Sequence, residues 1–498
     1  MQTVGHLING KIVATDQRHQ DLVNPSTNEV TARVALASKA TVEDAISAAA
    51  AAYPAWRDVP PIKRARIMFR LKDLLEQNAD KICELLTREH GKVLNDAMGE
   101  LQRGIENVEY TCGVPELLKG EHSRNVGPAI DSWSEFQPLG VCAGITPFNF
   151  PAMVPLWMWP MAIACGNTFV LKPSERDPSC ALFIAQLGME AGIPPGVLNV
   201  VNGDKEAVDT LLTDKRVQAV SFVGSTPIAE YVYTTGTASG KRVQSFGGAK
   251  NHALVLPDAD LDNAASALMG AAYGSCGERC MAISVVVAVG DATADALVEK
   301  LKAQIAELKV GDGMDNNNDM GPMVTRALKE KVEGYIATGI EEGAELAVDG
   351  RGLTVAGFEN GNYLGACLFD RVKQGMVIHS EEIFGPVLCV MRVETVQEGM
   401  DIIDAHEYGN GTCIFTRDGE AARYFSDNIK IGMVGINVPL PVPVAYQSFG
   451  GWKHSRFGDL HAYGPDSVRF YTVRKTMTQR WPASGVREGV QFSFPSHH

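Results

Sequence analysis

A large α/β protein with an open, mostly parallel sheet is what this sequence predicts, and three observations carry the prediction. Between residues 141 and 246, short apolar runs alternate with stretches of helical spacing. Glycine and polar turns sit where those runs end, and the same alternation returns after residue 260. Strand–helix–strand alternation places parallel strands in one sheet with helices on its faces.

The first third of the chain reads as helical. Residues 41–55 open on Thr41 with Asp44 three positions on, an acidic variant of the capping box. Residues 61–90 and 92–118 carry apolar side chains at helical spacing, with Gly91 as the break between them. Strands are predicted at 141–146 and at 168–171, the latter ending in Lys172-Pro173-Ser174-Glu175. A helix over 179–191 stops at Gly192, and a strand at 197–201 precedes a helix over 204–213. The strand at 217–223 runs into Gly224-Ser225-Thr226-Pro227, and another follows at 243–246. Ligands bind such sheets at the carboxyl ends of the strands, here Asn149, Lys172, Gly203 and Gly224. In the second half, a helix over 260–274 leads to Cys280, and strands are expected at 284–289, 386–393 and 412–416. Residues 380–386 (SEEIFGP) read as a tight loop, and no low-complexity linker separates domains.

Composition narrows the function. The chain has 498 residues, 45% hydrophobic and 21% charged, with a net charge of −14. That charge argues against a nucleic-acid partner and against docking on an anionic membrane. The ten cysteines follow no framework spacing and read as reduced thiols of a cytoplasmic protein. Cys276 and Cys280 have no second ligand pair nearby, so no metal site is expected. No signal peptide is visible, and the apolar stretch 151–165, with its three prolines, is short of the ~20 residues a membrane span needs.

Cys280 lies in Tyr273-Gly274-Ser275-Cys276-Gly277-Glu278-Arg279-Cys280. One reading is a thiol nucleophile at a loop-to-helix turn, its thiolate favoured by a helix N-terminus and by Arg279. The other is a buried structural cysteine, and Cys276 is then an equal rival. Asn149 follows a strand between Pro147 and Pro151, where a rigid amide suits either oxyanion stabilisation or a turn. Lys172 and Glu175 are a solvated loop pair or, with Gly224 and Ser225 at a helix start, part of a nucleotide site. The ordinary glycine fingerprint for dinucleotides is missing.

The segments PFNFP, LKPSE, FVGST, GERC, EEIFGP and GGWKHS…YT stand in the order and spacing of the aldehyde dehydrogenase superfamily, which the chain resembles over nearly its whole length. The resemblance implies a Rossmann-type NAD domain (1–118 and 138–247), an α/β catalytic domain (248–462) and a small β oligomerisation flap (119–137 and 463–498). It implies that Cys280 is the catalytic thiol and that Asn149, with the Cys280 N–H, forms the oxyanion hole. Thr146, Phe148, Lys172, Glu175, Gly224, Ser225, Glu382 and Phe384 become NAD contacts. Lys172 and Glu175 would serve the adenosine ribose, Gly224 and Ser225 the phosphates, and Glu382 and Phe384 the nicotinamide ribose and ring.

One departure is informative. Hydrolytic members carry a glutamate in an ELGGK segment, and here Ser245 takes that position. Serine is a poor base at neutral pH, so water attack on a thioester should be slow. A thiol acceptor such as coenzyme A needs less help, because a free thiol with a pKa of ~8.5 is already a few per cent thiolate. The AKNH, GERCMA and GDLHAYG runs resemble the CoA-acylating methylmalonate-semialdehyde dehydrogenase branch. That resemblance implies malonate and methylmalonate semialdehydes as substrates, oxidised with loss of CO2 to acetyl-CoA and propionyl-CoA, and a homotetramer or dimer. Arg103 and Arg279 are the expected anchors for the substrate carboxylate. The bland alternatives are an i,i+3 pair of Arg103 with Glu100 or Glu106 and a structural ion pair for Arg279. His252 would assist decarboxylation or CoA attack, or be structural. Two other functions stay open: a hydrolytic semialdehyde dehydrogenase with a different base, and a catalytically silent relative.

Overall fold

The structure, a computed structural model, describes residues 2–14 and 17–481. Two sheets with parallel centres organise it. In the first, the strands run in spatial order Arg456–Phe457, Arg242–Phe246, Val217–Val223, Val141–Ile145, Thr168–Lys172, Leu198–Val200, His6–Ile8 and Lys11–Val13. The five from Arg242–Phe246 to Leu198–Val200 are parallel. Phe222 pairs with Ile145, Ile145 with Lys172, and Val223 with Phe246. The register therefore brings the carboxyl ends of four strands level, so that Thr146, Lys172, Gly224 and Gly247 lie along one rim.

The second sheet runs Glu345–Val348, Cys367–Asp370, Val387–Val393, Ile283–Val289, Asn251–Val255, Gly411–Phe415 and Met433–Ile436. All its pairings are parallel except that of Glu345–Val348 with its neighbour. Its central strands are nearly continuous apolar runs such as ISVVVAV, as expected where helices cover both faces. A smaller antiparallel sheet joins Thr472–Arg480, Ile130–Pro138 and His122–Gly127.

The α/β class holds, and several local expectations are corrected. Residues 3–35 are strands rather than part of a helical region: the hairpin His6–Ile8/Lys11–Val13 extends the first sheet, and Thr3–Val4, Val30–Ala35 and His19–Val23 form a sheet of their own. These are short, half-exposed edge strands, which give little apolar alternation to read. The first helix starts at Lys39, capped by Ser38, whose side chain accepts from the Thr41 N–H; Thr41 is not the cap. The helix expected over 61–90 is two, Pro61–Gln77 and Ala79–His90, because Asn78 turns its amide back on the Leu74 carbonyl. Gly91 ends the second with φ 94°, a conformation open to glycine.

The apolar stretch near residue 155 is the helix Met153–Ala164, buried at every position. A helix apolar all round belongs in a core. It packs on the helix Leu94–Cys112, where Gly104 leaves the room that Leu156 fills: a Cβ there would lie 2.7 Å from the Leu156 Cδ1.

Candidate active site

The helix Leu261–Tyr273 ends at Gly274, and a tight turn, Gly274–Gly277, carries the chain toward Cys280. Ser275 and Cys276 both hold left-handed conformations, φ 49° and 54°. Cys280 then occupies a turn that enters the strand Ile283–Val289. No helix begins there, which corrects the expectation that a helix N-terminus would favour its thiolate. Of the ten cysteines, Cys280 is the one not fully buried. Burial pushes its thiol up to about 12, and the Glu382 carboxylate adds to the rise. The Cys280 and Met281 backbone N–H groups and Arg279 oppose it. Cys276, the rival, is sealed in the core, and burial lifts its thiol well above the ordinary range.

Asn149 is buried behind the rim of the first sheet. Its side-chain amide donates to the Glu278 carbonyl at 3.0 Å, and its own carbonyl accepts from the Lys92 Nζ at 2.6 Å. Lys92 also pairs with Glu100 at 2.6 Å, both side chains fully buried. The other Glu100 oxygen accepts from the N–H groups of Ala152 and Met153. A charged pair thus clamps the backbone on both sides of Phe150. Local sequence spacing gave no signal for Lys92 or Glu100, because they come from a neighbouring helix and the turn before it.

Along the rim, the Lys172 Nζ sits 2.8 Å from the Glu175 carboxylate. Burial alone would raise the Glu175 carboxyl, but the Lys172 charge and hydrogen bond outweigh it and the net shift is downward. The Thr146 hydroxyl is buried without a protein partner. Ser225 precedes the helix Thr226–Ala238, which starts with no side-chain cap; Pro227 has no N–H and the Ile228 N–H donates to the Ser225 carbonyl at 3.1 Å, so this start can offer a ligand the N–H groups of Ser225 and Thr226. The Phe148 ring meets the Phe384 ring edge-on at 5.9 Å, joining the 147–151 turn to the 380–386 loop. Phe384 holds φ 60°, a conformation that bulky residues rarely adopt. Glu382 accepts from the Ala249 N–H at 2.9 Å, and burial raises its carboxyl to about 7. Gly277, at φ 72°, lies so close to the Gly385 carbonyl that a Cβ would not fit. The thiol loop and the Glu382 loop are therefore in backbone contact, and Cys280, Glu382 and Phe384 line one narrow cavity.

On the other side of Cys280 opens a cavity of about 210 Å³, walled by Phe150, Met153, Trp157, Leu440, Val442 and Phe449. Arg103 and Arg279 both line it. Each already has a carboxylate partner: Arg103 pairs with Glu106 at 2.6 Å and donates to the Val442 and Pro443 carbonyls, and Arg279 pairs with Asp96 at 2.7 Å. The i,i+3 pair and the structural ion pair are thus both present, in residues that also face the cavity.

Ser245 is buried at the end of its strand and donates its hydroxyl to the Ala229 carbonyl at 2.8 Å. His252 lines neither cavity. It is buried with its Nε2 3.3 Å from that of His379, and the His406 ring lies 5.5 Å away. Burial, then the two neighbouring histidines, push it well below the usual range, so it is a neutral member of a core cluster.

Two parallel-centred sheets, with a cysteine at the junction of their loops and a buried amide tied to the same loop, define the class: an α/β protein with a partly open thiol between two cavities. The chain belongs to the aldehyde dehydrogenase family, which residues 12–477 match. It is 68% identical over 496 residues to a malonate-semialdehyde dehydrogenase of Pseudomonas aeruginosa, covering 100% of both chains. A malonate-semialdehyde dehydrogenase of Geobacillus kaustophilus is 49% identical, over 96% of this chain and 99% of that one. Among solved structures, the methylmalonate-semialdehyde dehydrogenase of Oceanimonas doudoroffii superposes with a TM-score of 0.97 at 69% identity, covering 98% of this chain and 100% of that one. A Sinorhizobium meliloti structure complexed with NAD gives 0.96 at 53% identity, over 97% and 99%.

Proposed function

We propose that this chain is an NAD-dependent semialdehyde dehydrogenase that acylates coenzyme A, taking methylmalonate semialdehyde and malonate semialdehyde to propionyl-CoA and acetyl-CoA. The observation that carries the reading is the cavity in which a partly open Cys280 meets Arg103 and Arg279, while Ser245 is turned away onto a backbone carbonyl. The names of the relatives from Pseudomonas aeruginosa and Oceanimonas doudoroffii agree with it.

The rim residues fit NAD. The Ser225 and Thr226 N–H groups at the uncapped helix start would meet phosphates, and the partnerless Thr146 hydroxyl and the Glu175 carboxylate offer polar contacts. NAD, when bound, accepts the hydride that leaves the substrate carbon. Glu382 contributes to keeping the Cys280 thiol protonated in the free protein. Hydrogen bonds from ribose hydroxyls to Glu382 would weaken that field, and the Cys280 thiol proton would pass more readily to solvent water. The Cys280 sulfur then bonds to the aldehyde carbon, and the carbonyl electron pair moves onto oxygen beside the Asn149 amide. Collapse of that oxyanion expels hydride and leaves a thioester. Arg279 and Arg103 hold the β-carboxylate until its bond to carbon breaks as CO2 leaves; that electron pair moves into the thioester carbonyl as an enolate, which a proton quenches. The CoA thiolate then attacks the carbonyl, and the Cys280 thiolate departs.

One observation favours a second reading. The Glu382 carboxyl, raised to about 7, shares a cavity with Cys280 and has the pKa a base for hydrolysis needs. NADH formation from malonate semialdehyde with CoA varied separates the two. Acetyl-CoA as product and strict CoA dependence are expected; free acid at full rate without CoA would overturn the acylating reading. Intact mass under turnover should show an acyl adduct that Cys280→Ala lacks.

The reading includes NAD domain segments 1–118 and 138–247, a catalytic domain over 248–462, and a flap from 119–137 and 463–498 that pairs subunits into a tetramer or dimer. The strands His122–Gly127, Ile130–Pro138 and Thr472–Arg480 support such a flap, and residues 482–498 lie outside the described residues. Light scattering on the purified protein tests the assembly. Among the described residues, no helix is long and apolar enough to cross a membrane.

A further inference from the structure

The turn before the thiol is shaped around Arg279. Gly274 has φ −53° and ψ 138°, a conformation that any residue adopts, so the turn itself does not require glycine. Yet a Cβ there would lie 2.5–2.6 Å from the Arg279 guanidinium, which rests flat against the bare backbone. Asp96 closes the other side. One of its oxygens accepts from the Arg279 Nη2 at 2.7 Å, and the second accepts from the Ser275 N–H at 2.7 Å and the Ser275 hydroxyl at 3.2 Å. A single carboxylate therefore ties the arginine to the left-handed Ser275-Cys276 turn that leads to Cys280. Asp96 stands in the first turn of the helix Leu94–Cys112, where the helix dipole favours a negative charge. The Arg279 Nη1 donates to the Gly270 carbonyl at 3.2 Å. A guanidinium has five N–H donors, so these bonds leave others for a ligand.

We propose that Asp96 and Gly274 are positioning residues that seat Arg279 in the orientation from which it grips the substrate carboxylate, and so set the preference for carboxylate-bearing over uncharged aldehydes. This rests on the reading of Arg279 as an anchor. A free arginine side chain must give up rotamer freedom on binding; a seated one has given it up already. The Asp96 charge by itself opposes a second carboxylate, so the two roles of Asp96 predict opposite signs when it is removed.

The test is kcat/KM for malonate semialdehyde and for propanal, measured on the full-length enzyme and on Gly274→Ala, Asp96→Ala and Arg279→Leu. Gly274→Ala keeps every charge and only displaces the guanidinium. It should lower the semialdehyde-to-propanal ratio about tenfold, mainly through the semialdehyde KM, with propanal changed less than about twofold. Asp96→Ala should lower the ratio too. An unchanged ratio in Gly274→Ala, or a raised one in Asp96→Ala, would overturn the seat. If Arg279→Leu lowers the ratio and Gly274→Ala does not, the seat alone fails. If Arg279→Leu leaves the ratio unchanged, the anchor reading fails with it.

Discussion

The Asn149 amide and the Glu278 carbonyl are joined at 3.0 Å, which ties the amide proposed to stabilise an oxyanion to the loop that carries Cys280. One amide hydrogen is spent on this bond, and its direction fixes where the other points. The Lys92–Glu100 pair holds the same segment from behind. The site is thus preorganised from both sides, which is what electrostatic stabilisation of a transition state requires.

Asn149→Ala should therefore reduce kcat by about 10²–10³-fold with little change in the KM for NAD. Steady-state kinetics decide this, and a variant with near wild-type kcat would remove Asn149 from the oxyanion role.

Lys92 and Glu100 are buried together, so removing one strands the other's charge. Lys92→Met should cost about 3–5 kcal/mol of stability, and adding Glu100→Gln should recover much of it. Denaturant unfolding of the single and double variants checks the coupling.

Ser245→Ala should leave the CoA-dependent rate within about twofold of wild type and cost only about 1 kcal/mol, the worth of its bond to Ala229. A large loss of rate would mean the hydroxyl acts in the chemistry.

Glu382 has a carboxyl raised, chiefly by burial, to about 7. Below that pH it is increasingly protonated and, in the proposed role of ribose acceptor, weaker, so the KM for NAD should rise as pH falls from 8 to 6. In Glu382→Gln the profile should be flat over that range.

Glu278 is raised, again mainly by burial, from 4.5 to about 8. A folded-state pKa above the unfolded one means that stability is fully present below the unfolded value and is lost as pH rises through the folded one. Glu278→Gln keeps an acceptor for the Val324 N–H without the ionisation. Its Tm should therefore gain on wild type as pH rises from 7 to 9; equal slopes would refute the assignment.

The sequence alone determined the α/β class, the parallel strands from 141 to 246 and the residues that end them, because two-residue and 3.6-residue periodicities and turn chemistry are local. Motif order was enough to bring Cys280, Asn149, the rim residues and the absent base at Ser245 into one reading. It could not reveal the strands before residue 36, which carry little apolar alternation and of which only His6–Ile8 pairs with a strand from elsewhere in the chain. Nor could it show that Cys280 enters a strand rather than a helix, that Cys276 is sealed away, or that Lys92, Glu100 and Asp96 hold the site in place. Those facts depend on burial and on hydrogen bonds between residues up to 183 positions apart, and only the packing of the two sheets against their helices decides which side chains meet.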